Sequence, residues 1–122
     1  MRVAVVGTGY VGLVTGTCLA NTGQDVTCVD KNPEVIEALK DGNVPIYEEG
    51  LDRMVEENLE HGRLDFTTDT ARAVRQADVV FIAVGTPQGE DGGADLGAVR
   101  AVAREVGDAI DGRTAVVCKS TV

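Results

Sequence analysis

The stretch Arg2-Val3-Ala4-Val5-Val6-Gly7-Thr8-Gly9-Tyr10-Val11-Gly12 decides how the rest of the chain is read. Arg2–Val6 is short and rich in valine, the pattern of a strand buried on both faces. The run breaks at Gly7. From Tyr10 onward, Val11, Val14, Thr15, Cys18 and Leu19 recur at helical spacing until Gly23 stops the pattern, so a helix is predicted over 10–22. G-x-G-x-x-G is a weak signal on its own, because glycine is common. Between a strand and a helix each glycine has a distinct role. Gly7 makes the tight turn, Gly9 lets the backbone approach a pyrophosphate, and Gly12 allows close helix–strand packing. An anion there is held by backbone N–H groups and the helix dipole. Gly7, Thr8, Gly9, Tyr10, Val11 and Gly12 are therefore candidate cofactor-binding residues.

Working outward, a second strand is predicted over 25–30 and ends on Asp30, 18 residues after Gly12. An acidic residue about 20 positions on accepts hydrogen bonds from the hydroxyls of an adenosine ribose and repels a 2′-phosphate, which favours NAD over NADP. Lys31, the next residue, tempers that preference. Asn32 is a candidate N-cap with Pro33 at the first helical position, and this helix runs to Lys40. A helix over 50–61 presents Leu51, Met54, Val55 and Leu59 on one face. A short strand over 64–67, a helix capped by Asp69 and a strongly apolar strand over 78–84 follow. A loop leads to a helix over 96–110, capped by Asp95 and with Leu96, Val99, Ala103, Val106 and Ile110 as its inward stripe. The last strand covers 114–118. Strands separated by helices predict an α/β fold, a doubly wound parallel sheet of the Rossmann type with five strands in the order 3-2-1-4-5. Residues 1–122 read as a single NAD-binding domain that stops before a sixth strand, as the front part of a larger enzyme would. Thr86 and Pro87 follow the fourth strand and Thr121 the fifth. Both segments then lie at the carboxyl ends of the strands, where Thr86 and Thr121 can offer hydroxyls to the nicotinamide half; ordinary turn chemistry is the alternative.

Composition narrows the rest. The chain carries 20 acidic and 11 basic residues, a net charge of −9, which argues against nucleic acid and against anionic membranes as partners. No apolar run is long enough to span a bilayer and nothing resembles a secretory signal, so a cytoplasmic location is expected. Three cysteines, Cys18, Cys28 and Cys118, lack C-x-x-C spacing and sit in apolar contexts; they read as small buried hydrophobes rather than a disulfide or metal set. His61 reads as a cation at a helix C-terminus rather than an acid–base group.

Taken together, Val5-Val6-Gly7-Thr8-Gly9-Tyr10-Val11-Gly12-Leu13, Val29-Asp30, Pro45-Ile46-Tyr47-Glu48-Glu49-Gly50-Leu51, Val84-Gly85-Thr86-Pro87, Asp91-Gly92-Gly93-Ala94-Asp95-Leu96 and Lys119-Ser120-Thr121-Val122 resemble the UDP-glucose/GDP-mannose dehydrogenase family along the whole chain. The Gly-Ala-Asp-Leu segment is more similar to the UDP-glucose branch. The resemblance implies a two-step oxidation of the C6 alcohol of UDP-glucose to the carboxylate with two NAD⁺, through a thiohemiacetal and a thioester on a cysteine. It places that cysteine, the sugar-nucleotide site and the family's homodimer contact in regions beyond this chain. Cys18, Cys28 and Cys118 do not match the cysteine's motif, so no catalytic residue and no metal ligand is expected here. The resemblance carries cofactor binding onto 7–12, Asp30, Thr86, Pro87 and Thr121. Two positions depart from the family pattern: Val35 where Lys or Arg is usual, and Glu49 where proline is. The cofactor domain of a related GDP-mannose, hydroxyacyl-CoA or 6-phosphogluconate dehydrogenase and a non-catalytic NAD-binding regulatory module remain alternatives.

Overall fold

The computed structural model describes residues 1–44, 48–84, 97–110 and 114–118. Five strands, β1 (Arg2–Val6), β2 (Asp25–Val29), β3 (Leu64–Thr67), β4 (Val79–Ile82) and β5 (Ala115–Cys118), form one parallel sheet in the order β3-β2-β1-β4-β5. The helices are α1 (Tyr10–Asn21), α2 (Pro33–Lys40), α3 (Leu51–Glu60), α4 (Thr70–Gln76) and α5 (Gly97–Ala109). The expected order and crossover pattern are thus met. Alternation along β1 shows how the sheet is covered. Val3 and Val5 join a core with Leu13 of α1, Ile36 and Leu39 of α2 and Val55 of α3. Ala4 and Val6 join a second core with Val74 of α4 and Val102 and Val106 of α5. β1 is buried on both faces because helices lie on both sides, which is why it reads as a continuous apolar run.

Local signals set the helix starts. Asn32 Oδ1 accepts from the Glu34 amide at 3.0 Å, and Asp69 Oδ1 from the Arg72 amide at 3.1 Å. Both supply partners to first-turn donors, as the sequence predicts. Gly50, with φ of +80°, begins α3. His61 ends it, its ring Nδ1 2.7 Å from the Glu57 carbonyl oxygen.

Three packing expectations need correction. On α1 the buried face is Gly12, Leu13, Gly16, Thr17 and Ala20. The valines of the predicted stripe are only half-buried, and Cys18 is exposed. The helix turns its small residues to the sheet because close approach requires them: a Cβ on Gly16 would stand 2.6 Å from Cys28 Sγ. Cys28 is fully buried, as expected. On α5 the inward residues are Val102, Val106 and Ala109, while Ala103 faces solvent; Leu96 lies outside the described residues. On α3 the buried set includes Asn58, which the apolar pattern passes over. It donates to the Met54 carbonyl at 2.8 Å and to Asn21 Oδ1 at 3.3 Å, and accepts from Arg63 Nε at 3.2 Å. Three partners for one fully buried amide tie α1, α3 and the start of β3 together.

Candidate cofactor site

The carboxyl ends of β1 and β4 mark the point where the strand order reverses, and there the glycine turn lies. Gly7 has φ of +111°, and its amide donates to the Val29 carbonyl at 2.7 Å, which binds the turn to β2. A Cβ at Gly7 would stand 2.6 Å from the Ala83 carbonyl oxygen, so only glycine fits. A Cβ on Gly12 would collide with the Gly7 carbonyl oxygen and lie 3.3 Å from Ala83 Cβ. Gly9 differs: nothing stands within 4 Å of the Cβ it lacks. It is the N-cap of α1, with no side-chain cap and no acidic residue in the first turn. First-turn amides at this end are therefore available to an anion, with open space in front of the cap residue.

Asp30 follows β2 and reaches back to the turn. Its Oδ2 accepts from the Thr8 hydroxyl at 2.6 Å and the Thr8 amide at 3.3 Å; its Oδ1 accepts from the Asn32 amide at 3.0 Å. A carboxylate has about four acceptor sites, so one stays open on Oδ1. Next to Asp30 lies a cavity of about 220 Å³ with an apolar lining, to which Val6, Val29, Val84, Ala101 and Val102 contribute, and with Asp30 and Lys31 among its walls. Lys31 Nζ pairs with Glu105 Oε1 of α5 at 3.2 Å, both side chains well exposed. Tyr10, 55% exposed, donates its hydroxyl to Glu48 Oε2 at 2.9 Å. That hydrogen bond and the Glu48 charge hold the phenol above its usual pKa of 10.

An uncapped helix start, a carboxylate at the neighbouring strand end and an apolar cavity beyond it match, in sequence, the pyrophosphate, ribose and adenine of a dinucleotide. Of the expected site residues, the structure brings 7–12 and Asp30 together. Within that group Val11 is half-buried and packs against the core. Thr86, Pro87 and Thr121 lie outside the described residues, as do Pro45, Ile46 and Tyr47. Glu105, Ala101 and Val102 were not legible as site residues, because only the sheet order brings α5 beside the end of β2. Among the described residues no group of acidic, His or Cys side chains is placed to hold a metal, and no helix is long and apolar enough to cross a membrane.

Comparison with known proteins agrees with this geometry. The model of the UDP-glucose/GDP-mannose dehydrogenase family, NAD binding domain, matches residues 1–122. The chain is 54% identical over 123 residues to a UDP-glucose 6-dehydrogenase of Rhizobium meliloti, covering all of this chain and 28% of that protein. It is similar to the GDP-mannose dehydrogenase of Pseudomonas aeruginosa, solved as a ternary complex, with a TM-score of 0.95 and 42% identity over all of this chain and 29% of the other. Against a UDP-glucose dehydrogenase from the archaeon Pyrobaculum islandicum the TM-score is 0.93, with 44% identity over 98% of this chain and 28% of that one. The chain thus spans 28% of the length of the first of these relatives. It belongs to the UDP-glucose/GDP-mannose dehydrogenase family, as its NAD-binding domain.

Proposed function

We propose that residues 1–122 are the cofactor-binding domain of a cytoplasmic enzyme that oxidises the C6 alcohol of UDP-glucose to the carboxylate with two NAD⁺. The observation that carries the cofactor half is the meeting of the uncapped α1 start with the Asp30 carboxylate across Thr8. Gly7 and Gly12 hold the turn, Gly9 leaves room for the pyrophosphate, and Asp30 accepts from the ribose. The apolar cavity takes the adenine and sheds water. Thr86, Pro87 and Thr121 are assigned to the nicotinamide side from their sequence positions. NAD⁺ supplies the hydride-accepting carbon; these residues bind and orient it. No nucleophile is assigned to this chain. Cys28 is sealed in the core, and its thiol is pushed up to about 12 by burial and by the charge of Asp65.

The substrate half rests on the relatives' names. UDP-glucose 6-dehydrogenases stand at 54% and 49% identity, against 42% for a GDP-mannose 6-dehydrogenase. The high structural likeness to a GDP-mannose dehydrogenase makes GDP-mannose the second substrate to test. Calorimetric titration with NAD⁺, NADH and NADP⁺ tests the cofactor site: binding of NAD(H) and not NADP⁺ is expected, and no binding to folded protein refutes it. NADH production from UDP-glucose and from GDP-mannose by the intact enzyme then decides the substrate; residues 1–122 alone are expected to bind NAD⁺ and oxidise neither.

A further inference from the structure

Thr8 is a middle residue of the glycine turn, yet it is only 4% exposed. Its side chain is turned inward onto Asp30, and at 2.6 Å that bond is in the short range of hydroxyl-to-carboxylate contacts. The amide of the same residue donates to the same oxygen, and the Asn32 amide holds the other. An aspartate side chain alone has two free torsions. Donors from two separate segments, the turn before α1 and the cap of α2, remove that freedom. A ribose diol needs a carboxylate whose plane and open lone pair already point the right way.

We propose that Thr8 is a positioning residue: its hydroxyl fixes the Asp30 carboxylate for the cofactor's ribose, and so sets part of the preference for an unphosphorylated 2′-hydroxyl. The inference rests on the proposed role of Asp30. A fixed carboxylate keeps its charge where a 2′-phosphate would sit. A loosened one can swing away from that place, losing affinity for NAD⁺ while giving up some rejection of NADP⁺.

Thr8→Ser and Thr8→Ala make the test, because both lose the methyl group and they differ only in the hydroxyl. NAD⁺ and NADP⁺ are titrated calorimetrically into the protein, these two variants, Asp30→Ala and the Thr8→Ala/Asp30→Ala double variant. Thr8→Ser is expected to bind NAD⁺ within about twofold of the parent, and Thr8→Ala about tenfold more weakly, the scale of one hydrogen bond to a charged group. The ratio of NAD⁺ to NADP⁺ affinity should fall in Thr8→Ala and hold in Thr8→Ser. In the Asp30→Ala background, Thr8→Ala should change NAD⁺ binding less than about twofold, because its target is gone. Equal binding by the Ser and Ala variants overturns the proposal, and so does the same loss in both backgrounds. Thr8→Val, which keeps the shape and drops the hydroxyl, replaces Thr8→Ala if a thermal melt shows the latter unfolded. Failure of the parent to bind NAD⁺, or an Asp30→Ala variant that binds as well as the parent, refutes the cofactor reading itself. A parent that binds and loses affinity with Asp30→Ala but not with Thr8→Ala refutes only the role of Thr8.

Discussion

Gly9 and Gly12 are three residues apart in one motif, and the structure gives them opposite failure modes. Alanine at 9 meets nothing within 4 Å, and the backbone there, φ of −71°, suits any residue. The folding cost is that of a poorer N-cap, about 1 kcal/mol at most. The new methyl group instead fills the space before the first-turn amides. Losing a direct amide bond to a charged phosphate removes about 2–3 kcal/mol, a rise of roughly 30- to 150-fold in Kd for NAD⁺. Alanine at 12 meets the Gly7 carbonyl, which is backbone and cannot rotate aside. Gly7 is pinned through its amide to Val29 at 2.7 Å, so α1 must lift off the sheet. Overpacking of this kind costs about 3 kcal/mol, offset by up to about 1 kcal/mol of helix propensity. The net loss of about 2 kcal/mol lowers Tm by about 8 °C in a domain of this size. Thermal melts of both variants, followed by calorimetry at a temperature where both are folded, separate the two effects. A Gly9→Ala protein that binds NAD⁺ within threefold of the parent, or a Gly12→Ala protein that melts with it, would refute the assignment.

Packing and charge elsewhere give further expected outcomes. Thr17 Oγ1 is buried with no hydrogen-bond partner among the described residues, so Thr17→Val should stabilise by about 1 kcal/mol, read as a higher urea midpoint at unchanged slope. Glu105→Gln frees Lys31, the cation beside Asp30, and should narrow the NAD⁺ over NADP⁺ preference by about two- to fivefold, less at high salt; an unchanged ratio would show that Lys31 does not reach the ribose. Iodoacetamide at pH 8 should label exposed Cys18 and spare Cys28 until the protein unfolds, as peptide mass spectrometry would show. The Cys28 thiol stands at about 12 against 9 in an open chain, so stability is full below pH 9 and falls as pH rises toward 12. Cys28→Ala should flatten that alkaline limb.

Much of this architecture is legible in the sequence because each signal is local. A valine run, a glycine turn, Asn32 before Pro33 and Asp69 before a short helix all act through neighbours a few residues away. The parallel order then follows from the alternation of strand and helix. What the sequence hides depends on contacts between elements. The apolar spacing of α1 points to Val11, Val14 and Cys18, but the helix is laid down by its glycines. Gly16 sits so near β1 and β2, and Gly12 so near the Gly7 turn, that no larger side chain fits at either position, and Cys18 is left in solvent. A hydrophobicity count cannot see this, since glycine adds nothing to it. Asn58 escapes for the reverse reason: a polar residue at a core position is read as a break until its three partners are known.

The same distinction runs through the cofactor site. Gly7, Gly9, Gly12 and Asp30 are recognisable singly, each by type and spacing. Their connection is not, because it runs through Thr8, a position the motif leaves open. With Gly7 bonded to Val29 and Thr8 to Asp30, the glycine turn and the Asp30 carboxylate form one hydrogen-bonded unit at the end of β2. A substitution at Asp30 therefore reaches the turn as well as the proposed ribose contact. Asp30→Ala should weaken NAD⁺ more than the loss of its ribose contact alone would. It should also weaken a ligand with a pyrophosphate and no adenosine ribose hydroxyls, 2′,3′-dideoxyadenosine NAD⁺, which a carboxylate acting on the ribose alone would leave unaffected. If affinity for that analogue is the same in the parent and in Asp30→Ala, the turn and the carboxylate are independent, and the coupling drawn from these three bonds is wrong.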